Sequence, residues 1–238
     1  MEDLIEKIKY KDGININVYR DDTSPSPDRW HSDEVFIVAY HRDFTVKRDD
    51  IITKECAIAI ARGEEDEGCK EILKKYYLFG LEAYIHGGVV LSFSYEGNFP
   101  DRGWDVSQIG FVLVKRGICK NKKEAREIAR SLIDEWNDYL SGNVYGYMIE
   151  VEDVDGSGNK EEVGGCWGFY GDYNKSGLLE EAKEEAEREY KKRIKMIEEL
   201  KNKQKDKNIT EITLGELLSY EDEIVRRHAI GILKRINR

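Results

Sequence analysis

Proline is scarce, with three in 238 residues, so no part of the chain reads as a proline-rich spacer. No apolar run approaches the roughly 18 residues that a bilayer-spanning helix needs. The opening decapeptide, MEDLIEKIKY, is charged throughout and has no signal-peptide core; the expected location is the cytoplasm. The four cysteines, Cys56, Cys69, Cys119 and Cys166, show neither a CxxC nor any other metal-ligand spacing, and they read as reduced, mostly buried thiols. GxGxxG, P-loop, HExxH and GxSxG patterns are all missing. On these grounds no cofactor and no metal is expected.

What is present is charge. Charged residues make up 36% of the chain and hydrophobic residues 40%, a high and a slightly low share for a globular protein. Abundant Lys, Glu and Ile would suit a thermophilic or archaeal source. The net charge of −10 is unevenly placed: from Asn174 onward 16 Lys/Arg face 14 Asp/Glu, which leaves 22 against 34, or −12, for residues 1–173. An acidic body argues against direct nucleic-acid binding, which needs a basic stripe. It fits either a basic partner or plain solubility.

The organising stretch is Leu81–Tyr173, which holds aromatic-rich apolar runs at Leu81–Tyr95, Gln108–Lys115, Val144–Val151 and Gly164–Tyr170. Upstream, Gly13–Arg20 alternates like a half-buried strand, and Glu34–His41 reads as a central strand. Asp21–Asp33, with its SPSP, reads as a loop, and Arg42–Asp50 as charged and irregular. Thr53 is placed to cap a helix ending at Arg62; after GEEDEG a second helix should carry Ile72, Leu73, Tyr76 and Tyr77 on one face. The clearest helix opens at Asn121, with Glu124 as its capping-box partner. Its core face comprises Ala125, Ile128, Ala129, Leu132, Ile133, Trp136 and Leu140, and Gly142 stops it. Val144–Val151 and Gly164–Tyr170 should pair as a long hairpin across EDVDGSGNKEE. From Leu178 to about Lys205 a charged helical pattern runs for about 40 Å, with a thin apolar stripe of Leu179, Ala182, Ala186, Tyr190, Ile194 and Ile197. NKQKDKN reads as its linker. Capping boxes at Thr213–Glu216 and Ser219–Asp222, and a helix carrying Ile224, Val225, His228, Ile232, Leu233 and Ile236, then resemble one HEAT-like unit, which must dock elsewhere to bury its face.

Several patterns invite chemistry. Asp153, Asp155, Ser157, Asn159 and Glu161, with Gly158 at the sixth place, match the front of a calcium loop. Gly164 stands where the bidentate Glu belongs, so a solvated hairpin turn is the expectation. His41-Arg42-Asp43 spells a kinase HRD without its companions. His41, Asp43, Asp49 and Asp50 would hold a hard metal only if the fold converged them. His86 precedes Gly87-Gly88 inside a strand-like run, the mark of a bulge or bend. Trp104 with Asp105 and Gln108, and Trp167 with Tyr170, pair aromatics with short polar groups; they would either line a recognition groove or cap the core.

Three blocks, WDxxQxGF at Trp104–Phe111, YLSGNVYGY at Tyr139–Tyr147 and CWGFYGD at Cys166–Asp172, resemble those of a family of uncharacterised proteins encoded by phages, archaeal viruses and other mobile elements. The resemblance covers about residues 34–185, including the intervening helix and hairpin. It implies a setting of virus–host conflict or element maintenance and brings no catalytic residues.

The expected fold class is α+β: a mainly antiparallel sheet packed on an amphipathic helix, with a C-terminal helical extension. The expected domains are a body over 1–175, a charged helix over 176–207 and a helical tail over 208–238. The expected function is a non-enzymatic viral or mobile-element protein that inhibits a host nucleic-acid-targeting defence complex, such as a CRISPR effector. Its partner would be a host protein or ribonucleoprotein with a basic surface, met through Trp104, Asp105, Gln108, Trp167, Tyr170, Asp49 and Asp50, with no membrane involved. One alternative is a metal-dependent nuclease or nucleotide hydrolase using His41, Asp43 and His86. The other is an assembly protein forming a homo-oligomer through residues 176–238.

Overall fold

A computed structural model describes residues 3–11, 13–29, 33–64, 67–100, 102–152 and 159–206. Among them the fold is α+β, with two antiparallel sheets and four helices. The chain divides into two compact units: one takes Met1–Asp22 with Val144–Arg238, the other Thr23–Asn143. No helix among the described residues is long and apolar enough to cross a membrane.

In the first unit, β1 (Leu4–Lys11), β2 (Ile14–Arg20), β8 (Val144–Glu152) and β9 (Lys160–Tyr170) pair in the order β1-β2-β8-β9. Strand β2 meets β8 in unbroken register from Ile14↔Val151 to Arg20↔Tyr145. Alternation turns Ile14, Ile16, Val18, Tyr147, Ile149 and Val151 to one face, where they are buried against Leu178, Ala182 and Ala186 of α4 (Leu178–Asp206). This packing moves the boundary expected at residue 175. The long helix is not an appendage to a 1–175 body; it covers a sheet built from both ends of the chain. The helix also runs through most of NKQKDKN, which had read as a linker.

In the second unit, β3 (Val35–His41), β4 (Phe44–Val46), β5 (Tyr76–Ile85), β6 (Val89–Phe93) and β7 (Val106–Lys115) pair in the order β4-β3-β7-β5-β6. One face packs on α3 (Lys122–Leu140), which buries Ala125, Ala129, Leu132, Ile133 and Trp136 as its periodicity predicts. Asn121 Oδ1 caps it by accepting the Glu124 N–H at 3.0 Å, and Gly142 follows in the left-handed region at φ +73°. The opposite face carries Phe36, Val38, Tyr76 and Leu113 under α1 (Lys54–Arg62) and α2 (Glu67–Lys75).

Three expectations change here. Tyr76 and Tyr77 leave the second helix, because α2 ends at Lys75 and these β-formers pair with Lys115 and Val114. The stretch Arg42–Asp50 contains β4, paired with β3. The run Leu81–Tyr95 is a hairpin and not one strand: His86–Gly88 is its turn, Gly87 supplies φ +70°, and Ile85 pairs with Val89. His86 therefore marks a chain reversal, not a bulge inside a strand. Strands β8 and β9 pair as expected; Asp153, Asp155, Ser157 and Gly158 between them, and the HEAT-like tail over 208–238, lie outside the described residues.

Candidate functional site

The second unit holds a charged residue where strand alternation would accept only a partnered one. Leu81 and Ala83 point into the α3 core, so Glu82 faces the other way, and it is 1% exposed. Its carboxylate is filled by the β6–β7 loop. Oε2 accepts the Tyr95 N–H at 2.8 Å and Arg102 Nη1 at 3.2 Å; Oε1 accepts the Gly97 N–H at 3.1 Å and Arg102 Nη2 at 2.7 Å. Arg102 Nη2 also donates to the Gly97 carbonyl at 2.9 Å. Two backbone donors and a forked guanidinium on one buried carboxylate form the strong, geometrically demanding kind of ion pair.

That anchor sets the shape of the loop. Tyr95 sits at φ +67°, in the left-handed region unusual for a bulky residue, and the bond from its N–H to Glu82 holds it there. Its ring is 81% exposed. Gly97 leaves room for the Phe99 ring, which a Cβ would strike. Phe99 in turn stacks on Tyr84 at 5.5 Å and 14°, and Tyr84 stacks on His86 at 6.1 Å and 23°. His86 Nδ1 stands 3.1 Å from Asp105 Oδ2, and beside Asp105 the Trp104 side chain is 91% exposed.

Next to this loop, on the same sheet face, lies a cleft of about 350 Å³. Its walls are Ala57, Ile58 and Ala61 of α1, with Phe111 and Ile109 of β7; Lys54, Ser94, Tyr40 and Gln108 supply the polar groups. Gln108 pairs across the sheet with Glu82, so cleft and loop share a border. The Tyr40 hydroxyl donates to the Ile52 carbonyl at 3.2 Å. Burial, reinforced by the nearby Asp49 and Glu55 charges, pushes its pKa up to about 12, so it stays a neutral donor. Apolar walls with a few polar groups are what a small-ligand pocket needs.

The expected binding residues divide between the units. Trp104, Asp105 and Gln108 lie together on β7 or just before it. Trp167 and Tyr170 lie on β9 in the first unit. Trp167 is partly used within its own sheet, packed over Gly146 and 6.0 Å from the Tyr19 ring, and is 37% exposed. Asp50 accepts from Arg48 at 3.3 Å, and those hydrogen bonds hold its carboxyl below the usual range against a small burial penalty. Arg48 also pairs with Asp33 and lies over the Phe36 ring; Asp49 is exposed.

The alternative catalytic set does not assemble. His41 Nδ1 is 3.8 Å from Asp43 Oδ2 in the β3–β4 turn, while His86 pairs with Asp105 at the β5–β6 turn. Two intervening ladder spacings of about 4.8 Å separate β3 from β5. Among the described residues no three His, Cys, Asp or Glu side chains are grouped to hold a metal ion.

Sequence reasoning passed over Glu82, Tyr95 and Arg102. The available signal was a lone Glu inside the apolar run LEAYI, because a carboxylate at a buried strand position demands a partner. No family model, no curated protein and no solved structure matches the chain.

Proposed function

We propose that the chain is a non-enzymatic accessory protein of a virus or mobile element that binds a basic surface of a host nucleic-acid-targeting defence complex and blocks it by occlusion. The observation that carries this reading is the β6–β7 loop. Two aromatic side chains, Trp104 and Tyr95, stand in solvent at 91% and 81% exposure on a loop clamped to a buried carboxylate. Exposed aromatics on a pre-ordered backbone bind with little ordering cost, and Trp and Tyr are the side chains that dominate interface energies. The excess of 34 acidic over 22 basic groups in residues 1–173 would steer the loop toward a basic, nucleic-acid-binding surface. The setting is the one implied by the WDxxQxGF, YLSGNVYGY and CWGFYGD blocks.

The test is competition on a purified effector ribonucleoprotein. The chain should displace target nucleic acid, and its association rate should fall steeply with ionic strength, because opposite charges are screened beyond about 8–10 Å at physiological salt. Trp104→Ala should raise the dissociation rate by about 30-fold, the loss of one hot-spot anchor of about 2 kcal/mol. Undiminished target binding at saturating protein sinks the occlusion reading. Cleavage of nucleic acid with Mn²⁺, lost on His86→Ala, replaces it with the metal-hydrolase one.

A further inference from the structure

Two thiols in the second unit face each other with nothing between them. Cys56 Sγ lies 2.7 Å from Cys69 Sγ, and Cys69 Sγ is also 3.7 Å from the Cys56 carbonyl oxygen. Cys56 sits in the first turn of α1, where its N–H donates to the capping Thr53 Oγ1 at 3.3 Å. Cys69 sits in the first turn of α2 and is fully buried, while Cys56 is half-buried and within reach of solvent. The two helices need tying. Each is nine residues long, below the length at which a helix holds itself. Each buries one residue fully among those described, Ala57 in α1 and Cys69 in α2.

We propose that Cys56 and Cys69 form a reversible disulfide that locks α1 to α2. With oxidised glutathione as oxidant, the Cys56 thiolate attacks one glutathione sulfur. A mixed disulfide forms and one glutathione thiolate leaves, taking up the proton that Cys56 gave to solvent. The Cys69 thiolate, its own proton likewise released, then attacks the Cys56 sulfur and expels the second glutathione. Two protein thiols are oxidised by two electrons, and one oxidised glutathione becomes two reduced ones. Because Ala57, Ile58 and Ala61 on the same helix wall the cleft, the bond fixes one side of that cavity. The site is independent of any partner of the β6–β7 loop.

The full-length chain is exposed to oxidised glutathione, alkylated and digested with trypsin. The expected product is a cross-linked pair, Glu55–Arg62 with Gly63–Lys70, lighter by two hydrogens, released by dithiothreitol and absent from Cys56→Ser. Oxidation should raise the melting temperature of the wild type by about 5 °C, the return on closing a short loop, and leave Cys56→Ser unchanged. Equal alkylation of Cys56 and Cys69 before and after oxidant overturns the proposal. So does a stable mixed disulfide with glutathione on Cys56, which would show that Cys69 cannot reach it. Since Cys69→Ser places a hydroxyl in a fully buried position, the half-buried Cys56→Ser is the deciding variant.

Discussion

Each unit is an antiparallel sheet backed by one long helix, yet the two helices fill their space in opposite ways. Helix α3 brings bulk to its sheet: Leu132, Ile133 and Trp136 are buried, and Trp136 meets Phe44 edge-on at 5.7 Å. Among its described side chains, helix α4 fully buries only Leu178, Ala182 and Ala186, with Leu179 and Tyr190 partly buried beside them, and the sheet supplies Tyr147 and Ile149. The remaining faces differ as well. In the second unit α1, α2 and the pinned loop lie over the sheet. In the first, the other face carries polar groups: Asn15 donates to Glu150 at 3.2 Å, and Glu150 sits between Lys7 and Lys160. Interiors are close-packed either way, so a helix whose buried residues are small can pack on a sheet that supplies the larger side chains.

This contrast predicts opposite sensitivities. Trp136→Ala removes the largest side chain of the α3 interface, and a loss of about 3–5 kcal/mol is expected. Urea unfolding with amide exchange read on β5 and β7 checks it, and a loss under about 1 kcal/mol would mean that the cavity closes by collapse. Glu82→Gln leaves Arg102 and two backbone N–H groups facing a neutral amide. A loss of about 3 kcal/mol is expected, together with new protease cleavage after Arg102. In the first unit the damaging change is enlargement: Ala186→Leu should cost about 1–3 kcal/mol by overpacking, read as faster exchange of β2 and β8. If Ala186→Leu stabilises the unit instead, α4 has slack and the contrast fails.

The same contrast explains what the sequence revealed. Helix α3 was legible in full, since a cap, a 3.6-residue period and a stop glycine are all local. Its one departure is that Glu124 bonds back to the Lys120 N–H at 2.7 Å, one residue beyond the usual capping-box partner. Helix α4 was legible as a helix, and its thin apolar stripe held Ala182 and Ala186, which are both buried; Leu178, outside that stripe, is buried with them, while Leu179 is only partly so. The pairing of β2 with β8 spans more than a hundred residues and leaves no local trace, so the division at Asp22 and Asn143 was hidden. Trp104 and Gln108 were singled out in the sequence as an aromatic beside a short polar group. The buried Glu82 that pairs with Gln108 across the sheet was missed, because a single charge in a strand is legible only once its face is known.

One tyrosine in each unit gives the mildest test, through a titration that acts only at alkaline pH. Tyr147 is 1% exposed; burial first, then the bond its hydroxyl donates to Glu185 Oε2 at 2.7 Å and the charge of that carboxylate, raise its pKa far above the ordinary value of 10.0. Tyr40 in the second unit is raised to about 12, mainly by burial. In both cases the folded state keeps a proton that the unfolded chain releases near pH 10. Their contribution is therefore complete below pH 10 and is lost as pH climbs through the folded values, with a slope of about 1.4 kcal/mol per pH unit for each retained proton. Tyr40→Phe should flatten that alkaline loss in the second unit alone. Tyr147→Phe should flatten it in the first unit and also cost about 1 kcal/mol at neutral pH, because Glu185 loses its donor. Urea midpoints taken at pH 8 and pH 11, with exchange on β7 and β8 to separate the units, decide the matter. A wild-type midpoint that does not fall between those values, or a Tyr147→Phe variant that falls as steeply as the wild type, would show that α4 does not bury this hydroxyl against Glu185.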